Sequence, residues 1–168
     1  MAMARCEIRA EELTLEGFAA FGDVIKRDSG AAVAINGGEV LRHHDLARVD
    51  VTADGGRPVI SIFQVMKPAT LPFRLRLMER HLLSSQAFMP LVGSTYLVAV
   101  APPGPEPGTD TIRCFAARDG AGINLHPGVW HHPLIALDAS DFLVIDRGTT
   151  FDEDCETMSL SDNDILVT

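Results

Sequence analysis

The sequence predicts an all-β protein, a sandwich or barrel, with one short helix near the N-terminus. Short segments that are apolar or that alternate between apolar and polar residues are separated by clusters of Gly, Pro, Asp and Ser, which is typical of strands joined by turns. These segments are 23–26, 39–51, 58–66, 73–81, 95–101, 111–116, 133–137 and 141–147. Many short strands with frequent turns favour a sandwich or a barrel.

The one helix is predicted over about residues 11–21. Leu15, Phe18 and Ala19 fall on one face of such a helix. Gly22 stands where a helix commonly ends, so the chain should turn there into its first strand.

Two segments predict turns. Residues 54–56 are Asp-Gly-Gly, and glycine adopts positive φ at no steric cost, so we expect a hairpin turn that joins two antiparallel strands. Residues 102–109 contain four prolines, which donate no backbone hydrogen bond, so we expect a surface loop there.

Length and composition indicate how many domains the chain forms and which kinds of partner it can bind. The chain has 168 residues, 46% of them hydrophobic, which suits one folded domain over residues 1–168. The 14 basic residues are outnumbered by 23 acidic ones, and the net charge is −9. Because no run of basic residues is present, we expect no nucleic-acid partner and no anionic membrane surface as a partner.

The cysteines and the N-terminal residues predict a cytoplasmic location. Cys6, Cys114 and Cys155 are scattered and form no C-x-x-C pair, which is typical of reduced thiols. Charge occurs where a signal peptide would need an apolar stretch, and no apolar run approaches the ~20 residues of a membrane-spanning helix.

Two strand segments are apolar on both faces. They are residues 59–63, Val-Ile-Ser-Ile-Phe, and 96–100, Tyr-Leu-Val-Ala-Val. Both faces of each strand should therefore be covered, by a second sheet or by another subunit. Cover by the N-terminal helix and the loops is the alternative.

One strand carries polar residues on its apolar face. In Phe-Arg-Leu-Arg-Leu-Met-Glu-Arg-His, the residues Phe73, Leu75 and Leu77 alternate with arginines, and Glu79 and His81 continue the same face. A carboxylate and an imidazole in an apolar interior are costly unless they are paired, hydrogen-bonded or bound to metal. The pattern therefore predicts a site. Alternatively, the strand ends at Leu77 and the polar residues lie in an exposed turn.

A glutamine and a cluster of three histidines are further candidates for this site. The following Gln-Ala-Phe-Met-Pro segment alternates as well, which puts Gln86 on the same face as Phe88 and lets Gln86 converge with Glu79 and His81. His126, His131 and His132 fall within seven residues of one another, beside the only tryptophan. A lone histidine is often a structural residue, but this clustering favours a functional role for at least one of them.

Several of these segments resemble known motifs. Glu79-x-His81-x4-Gln86-x6-Gly93 resembles the first motif of the cupin superfamily, G-x5-H-x-H-x(3,4)-E-x6-G, with its first histidine and its glutamate replaced. The Gly-x-x-His stretch that ends at His131 resembles the core of the second cupin motif.

A closer resemblance covers residues 21–156. In order and spacing, seven short segments are similar to the ureidoglycolate lyase family of the cupin superfamily. They are Phe-Gly-Asp-Val, His-Asp-Leu-Ala, Glu-Arg-His, Gln-Ala-Phe-x-Pro, Val-Trp-His-His-Pro-Leu, Asp-Phe-Leu and Ile-Asp-Arg-Gly. The resemblance implies a cupin-like double-stranded β-helix, or jelly-roll barrel, in a homodimeric enzyme that releases urea from (S)-ureidoglycolate to leave glyoxylate. It also implies a divalent metal such as nickel.

The chemistry of the implied reaction gives the polar residues candidate roles. His81, Gln86 and His131 are the candidate metal ligands, since imidazole and oxygen donors suit nickel, zinc or iron better than calcium. Glu79 is either a fourth ligand or the catalytic base. His126 or His132 would protonate the departing urea nitrogen.

An arginine is expected to bind the substrate carboxylate, because a guanidinium matches a carboxylate and the whole chain is acidic. In Asp-Phe-Leu-Val-Ile-Asp-Arg, alternation allows only one of Asp146 and Arg147 to face the interior. Arg147 is the candidate clamp, with a surface salt bridge as the alternative, and Arg80 and Arg42 are weaker candidates.

Two other functions remain open from sequence. An amidohydrolase would act on the same substrate but release ammonia and carbon dioxide. A non-catalytic sensor of small molecules is also compatible, because cupin barrels serve as binding modules and a fold does not fix a function.

Overall fold

The structure, a computed structural model, describes residues 5–27, 30–148, 154–160 and 163–168. One short helix, α1, spans Leu15–Phe18. The strands in chain order are β1 Arg5–Ile8, β2 Glu11–Glu12, β3 Gly22–Ile25, β4 Ala32–Ile35, β5 Val40–His43, β6 Pro58–Gln64, β7 Phe73–Arg74, β8 Leu77–His81, β9 Gln86–Pro90, β10 Tyr96–Ala101, β11 Arg113–Ala117, β12 Gly122–Leu125, β13 Trp130–His131, β14 Ile135–Ala136, β15 Asp141–Arg147, β16 Cys155–Ser159 and β17 Asp164–Val167.

Two large sheets form the body of the fold. The first has the order β16-β8-β13-β10-β11-β2, with β14 also paired to β10. The second has the order β3-β12-β9-β15-β6. A three-stranded sheet, β1-β17-β7, and the hairpin β4-β5 complete the described strands. This all-β, cupin-like architecture confirms the predicted fold class.

The central strand β10 shows how the layers pack. Tyr96, Val98 and Val100 belong to a core that also contains Phe142 and Val144 of the second sheet. The alternate residues of β10 lie in another core, with members of the three-stranded sheet. Every residue of β10 is buried, so the expectation that both faces of this strand are covered is confirmed.

The other doubly apolar strand, β6, differs. It is the edge strand of the second sheet and pairs only with β15 among the described strands. The side chains of Ile60 and Ile62 are 70% and 55% exposed. Within the single chain, no described element covers the outer face of β6, so cover of this strand by another subunit stays a prediction.

The helix is shorter than predicted. It begins after Thr14, whose side chain accepts a hydrogen bond from the backbone N–H of Gly17 at 3.0 Å. The preceding Glu11 and Glu12 form a short strand parallel to β11 instead. The prediction of a helix from residue 11 was wrong because backbone pairing with β11 competes with helix formation there.

The predicted strand over residues 73–81 is divided. β7 pairs with β17, whereas β8 pairs with β13 and β16 in the first sheet. Leu75 lies between them and donates its backbone N–H to Ile165. The break shifts the alternation. Leu75 and Met78 are fully buried in the core that contains Leu97 and Ile165, whereas Glu79 and His81 alternate with Met78 and face the space between the two large sheets. The prediction that Glu79 and His81 continue the face of Leu75 is therefore wrong.

The hairpin predicted at residues 54–56 is wrong. Residues Ala53–Gly55 form a single 3₁₀ turn, and the strands on either side of it do not pair with each other. β5 pairs with β4, and β6 pairs with β15. The guanidinium of Arg147 donates to the carbonyl oxygens of Ala53 and Asp54, which attaches the turn to the end of β15.

The predicted segment 39–51 forms a strand only over Val40–His43, whereas other predictions agree more closely. Residues 102–112 contain no strand or helix, as expected of the proline-rich loop. The predicted segment 141–147 matches β15 at both ends. In the part of the chain that the structure describes, no helix has the length and apolar character needed to cross a bilayer.

Candidate active site

Glu79, His81 and His131 meet between the two large sheets, and we call these three residues the interior cluster. Their potential ligand atoms all lie within 4.8 Å of one another. β8 supplies Glu79 and His81, and β13 supplies His131, which pairs directly with Glu79 in the strand register. Val100 pairs with His131 on its other side and is part of the core between the sheets. The predicted convergence of Glu79 with His81 is therefore found, and the alternative of an exposed turn is not.

The imidazole of His131 is held in one orientation. Its Nδ1 atom lies 3.0 Å from the carbonyl oxygen of Val129, so Nδ1–H donates there and Nε2 is left without a proton when the ring is neutral. Nε2 is 3.5 Å from Oε1 of Glu79, and the His131 side chain is only 3% exposed. The basic nitrogen of His131 thus faces the interior cluster.

Charge in the cluster favours an ionised Glu79, and burial favours a neutral His81. Burial acts to raise the pKa of Glu79, but the adjacent His131 and the charges of His81 and His132 outweigh it, and the pKa is lowered. Burial lowers the pKa of His81, and the nearby His131 lowers it further. A carboxylate beside two imidazoles is a donor set that divalent transition metals accept.

Three buried polar atoms at the site have no hydrogen-bond partner. They are Nε2 of His81, Nε2 of His131 and Oε1 of Gln86. Buried polar atoms normally have a partner, so each such atom needs an explanation. All three are electron-pair donors in the neutral side chains, and all three belong to the residues predicted as metal ligands. The residues present therefore fit a divalent cation.

Gln86 and Asp146 approach the interior cluster from the second sheet. The side-chain amide of Gln86 hydrogen-bonds the carboxylate of Asp146, whose pKa is raised by burial against the opposing effects of Gln86 and His81. Phe142 and Val144 precede Asp146 on the same face of β15, and both are fully buried. Asp146, and not Arg147, is therefore the residue of this pair that faces the interior.

Arg147 makes its contacts elsewhere, with Ala53 and Asp54 as described above. The other candidate arginines are also engaged. Arg80 forms an ion pair with Glu156 at 2.6 Å, and its guanidinium carbon lies 4.4 Å from the centre of the Trp130 ring. Arg42 lies 3.0 Å from Nδ1 of His44. These contacts favour structural uses for all three arginines.

The two candidate acids differ in position. His132 follows His131 directly in the chain, and both residues line one apolar pocket. The pKa of His132 is lowered chiefly by burial. Its ring packs edge-on against Phe73 at a centroid distance of 5.3 Å. His126 is exposed, and its Nε2 atom lies 3.3 Å from Asp23.

Sequence reasoning missed two acidic residues of the site. Asp146 was noticed for its alternation, but Arg147 was preferred on chemical grounds. Asp154 comes from a distant segment just before β16, and it accepts hydrogen bonds from the backbone of Leu83 at 2.6 Å and from Oγ of Ser84 at 2.5 Å. No local pattern marks it, because its partners are about 70 residues away in the chain.

The residues that line nearby and distant pockets distinguish this site from the rest of the surface. Phe88, Tyr96 and Leu125 line an apolar pocket that reaches His131 and His132. A larger cleft between β2, β11 and the segment after β3 is lined by charged residues of both signs but contains no histidine or cysteine. Among the described residues, the interior cluster is the one group in which three potential metal ligands have their ligand atoms within 4.8 Å of one another.

A two-sheet β fold that encloses histidines and a carboxylate defines a cupin-like protein with a candidate metal site. Comparison of the sequence gives the family. A family model described as ureidoglycolate lyase matches residues 5–167, so the chain belongs to the ureidoglycolate lyase family.

Individual relatives agree. A protein named ureidoglycolate lyase from Burkholderia cepacia is 52% identical to this chain, and the match covers 84% of this chain and 80% of that protein. A protein of the same name from Pseudomonas paraeruginosa is 40% identical, and the match covers 95% of both chains. Among solved structures, a 3,4-ketoisomerase from Thermoanaerobacterium thermosaccharolyticum has a TM-score of 0.42 and 13% identity, covering 79% of this chain and 84% of that one, a likeness too weak to argue from.

Proposed function

We propose that this protein is a ureidoglycolate lyase, which releases urea from (S)-ureidoglycolate and leaves glyoxylate. The observation that carries the proposal is the interior cluster of Glu79, His81 and His131, with its unpartnered donor atoms, in a chain of the ureidoglycolate lyase family. The same proposal treats residues 1–168 as one catalytic domain.

The chemistry needs one base and one acid. The substrate, HO-CH(COO⁻)-NH-CO-NH₂, carries a hydroxyl and a ureido nitrogen on the same carbon. When the hydroxyl loses its proton, the C–O bond becomes the carbonyl of glyoxylate and the C–N bond breaks. The bonding electrons go to the departing nitrogen, which takes up a proton to give urea.

A divalent metal fits this site. His81, His131 and Glu79 would hold it, and Gln86 is a further candidate ligand through its unpartnered Oε1. Nickel is the metal that the family resemblance implies. When bound, such an ion supplies Lewis-acid activation of the hydroxyl and orients the substrate oxygens.

The chain's own residues carry the proton transfers. Glu79, whose lowered pKa keeps it ionised at neutral pH, is placed to accept the hydroxyl proton if it is not itself a metal ligand. His132, at the edge of the interior cluster, is the better-placed of the two histidines proposed to protonate the urea nitrogen. The apolar side chains of Phe88, Tyr96 and Leu125 line a small pocket beside His131 and His132.

One assay separates this function from hydrolysis. Purified protein is given each enantiomer of ureidoglycolate, and urea, ammonia and glyoxylate are measured in the same sample. We expect equal amounts of urea and glyoxylate from the S enantiomer, above the rate in a sample without protein. Ammonia in place of urea would establish the amidohydrolase, and no turnover with retained binding of glyoxylate would favour a sensor.

The role of the metal has its own test. The metal content of the purified protein is measured, the metal is removed with a chelator, and urea release is followed before and after nickel is added back. We expect activity to fall with the metal and to return with nickel. Urea release at full rate by metal-free protein would exclude a catalytic metal.

The proposal includes a homodimer in the cytoplasm. The outer face of the edge strand β6 exposes Ile60 and Ile62, and Met66 beyond it is 81% exposed. Large apolar side chains grouped on one face favour contact with another protein surface. A second copy of the chain that covers this face would also satisfy the apolar pattern of residues 59–63. The cytoplasmic location rests on the sequence, and cell fractionation tests it.

A further inference from the structure

The Asp146 carboxylate lies on the opposite sheet from the interior cluster. Asp146 follows the buried Val144 on the inward face of β15. The pairing of β15 with β9 extends to Ile145 and Ala87, so Gln86 is the next residue opposite Asp146. The two side chains are hydrogen-bonded. The site therefore has a histidine-rich wall on one sheet and a carboxylate and amide wall on the other.

The carboxylate oxygens of Asp146 can accept further hydrogen bonds from a molecule bound between these walls. An ionised carboxylate can accept about four hydrogen bonds. The amide of Gln86 and the residue's own backbone N–H account for part of that capacity. The charge of Asp146 also acts on His81, so the carboxylate is close to the interior cluster. Its side chain is partly exposed and is thus accessible to a small molecule.

The ureido group of the proposed substrate is complementary to a carboxylate. Its NH and NH₂ groups present two parallel N–H donors, as a guanidinium does, and such a fork forms paired hydrogen bonds with the two oxygens of a carboxylate. A ligand without these donors would leave acceptor oxygens of Asp146 unpaired, and unpaired polar groups in a site are the basis of discrimination between ligands.

We propose that Asp146 binds the ureido end of the substrate through the two N–H donors and thereby determines specificity for ureido acids. This inference rests on the proposed function. The substrate carboxylate then points away from Asp146 to the opposite wall, where the cation that Glu79, His81 and His131 would hold outweighs the negative charge of Glu79. The two ends of the substrate are thus distinguished by charge, and the hydroxyl-bearing carbon lies between the walls.

The test uses two stable ligands that differ in one group. N-carbamoylglycine has the carboxylate and the ureido group but no hydroxyl on its carbon, so it cannot be cleaved by this reaction. N-acetylglycine replaces its terminal NH₂ by a methyl group of similar size. Binding of both is measured by calorimetry to the wild-type protein and to Asp146→Asn, as purified, with the metal content of each determined.

The matched control is Asp141→Asn. Asp141 begins the same strand, and by alternation its side chain lies on the opposite face from that of Asp146. The substitution therefore removes the same charge from the other side of the sheet. Asp146→Ser is a second variant in case the Asn variant does not fold, and circular dichroism checks the fold of all three variants.

We expect the wild-type protein and Asp141→Asn to bind N-carbamoylglycine about tenfold or more tightly than N-acetylglycine, as a hydrogen bond to a charged group allows. In Asp146→Asn this preference should fall to about twofold or less, with unchanged metal content. An unchanged preference, or loss of the metal from the Asp146 variants, would overturn the inference. Because neither ligand reacts, the result does not depend on urea release, which tests the proposed function separately.

Discussion

The Nδ1 atom of His81 lies 4.0 Å from Oδ2 of Asp154. Asp154 is itself held in place by the backbone N–H of Leu83 and by the hydroxyl of Ser84, both of which follow β8. A carboxylate on the Nδ1 side of an imidazole favours the tautomer in which Nε2 has the free electron pair. Nε2 of His81 is one of the unpartnered atoms of the interior cluster.

Asp154→Asn should therefore weaken metal retention. Outer partners of metal-binding histidines typically affect metal affinity by about 10- to 100-fold. The measurement is a competition between the protein and a chelator of known affinity. Asp138→Asn is the control, because the Asp138 carboxylate also accepts a backbone N–H, from Thr95, but in the loop before β15. Equal retention in the two variants would contradict a role for Asp154 in presenting His81.

His132→Asn and His126→Asn should differ in turnover. His132 adjoins the interior cluster, whereas His126 is exposed beside Asp23. If His132 is the acid, kcat should fall about 100-fold or more, the range of general-acid contributions, while KM changes little. His126→Asn should retain near-normal kcat. Near-normal turnover in both variants would exclude an imidazole of this pair as the acid.

The stability of the metal-free protein should decrease as the pH falls below about 6.5. Burial lowers the pKa of His132 in the folded chain, so the unfolded chain binds a proton first as the pH falls. At pH values above the pKa of His132 in the unfolded chain, the free energy of unfolding does not depend on this group. As the pH falls from that pKa to the lowered pKa in the folded chain, the free energy of unfolding decreases. Urea unfolding at several pH values measures this slope.

The matching variant for that experiment is His132→Asn, which removes the titrating group. Its free energy of unfolding should depend less steeply on pH between 6.5 and the lowered pKa than that of the wild-type protein. His126→Asn should leave the slope unchanged. An identical slope in wild-type protein and His132→Asn would show that burial of His132 does not couple to folding.

Ile62→Lys should shift the protein from dimer to monomer. Ile62 is exposed on the outer face of β6, and a charge in an apolar contact is costly. Light scattering should give twice the 18.1 kDa chain mass for the wild-type protein and the single mass for the variant. Leu15→Lys, a similar change at a 45% exposed position of α1, should remain dimeric. A dimer that survives Ile62→Lys would place the contact elsewhere.

Alternation along a strand was enough to predict several parts of the site. The polar residues Glu79 and His81 were expected to share a face, and they do. It also showed that Asp146 and Arg147 point to opposite sides of β15. Alternation divides the residues of a strand between two faces, but it does not say which face is buried. It therefore could not show whether Asp146 or Arg147 points to the interior. That depends on whether the buried residues Phe142 and Val144 pack inward, which only the neighbouring sheet decides.

Strand partners were beyond the reach of the sequence. The Asp-Gly-Gly segment has the composition of a hairpin turn, yet the flanking strands pair with β4 and β15, because Arg147 and the opposite strands offer better partners than the local ones. The break at Leu75 has the same origin, since Leu75 donates to Ile165 near the end of the chain.

The sequence by itself determined the β class, the family and the residue types that can bind a metal or move a proton, since these depend on composition, local order and motif. The tertiary structure decided that Asp146 and Asp154 join the histidines while His126 and Arg147 make their contacts elsewhere. The physical reason is that hydrogen bonds between strands and packing between sheets join residues far apart in the chain, and no local pattern specifies these pairings.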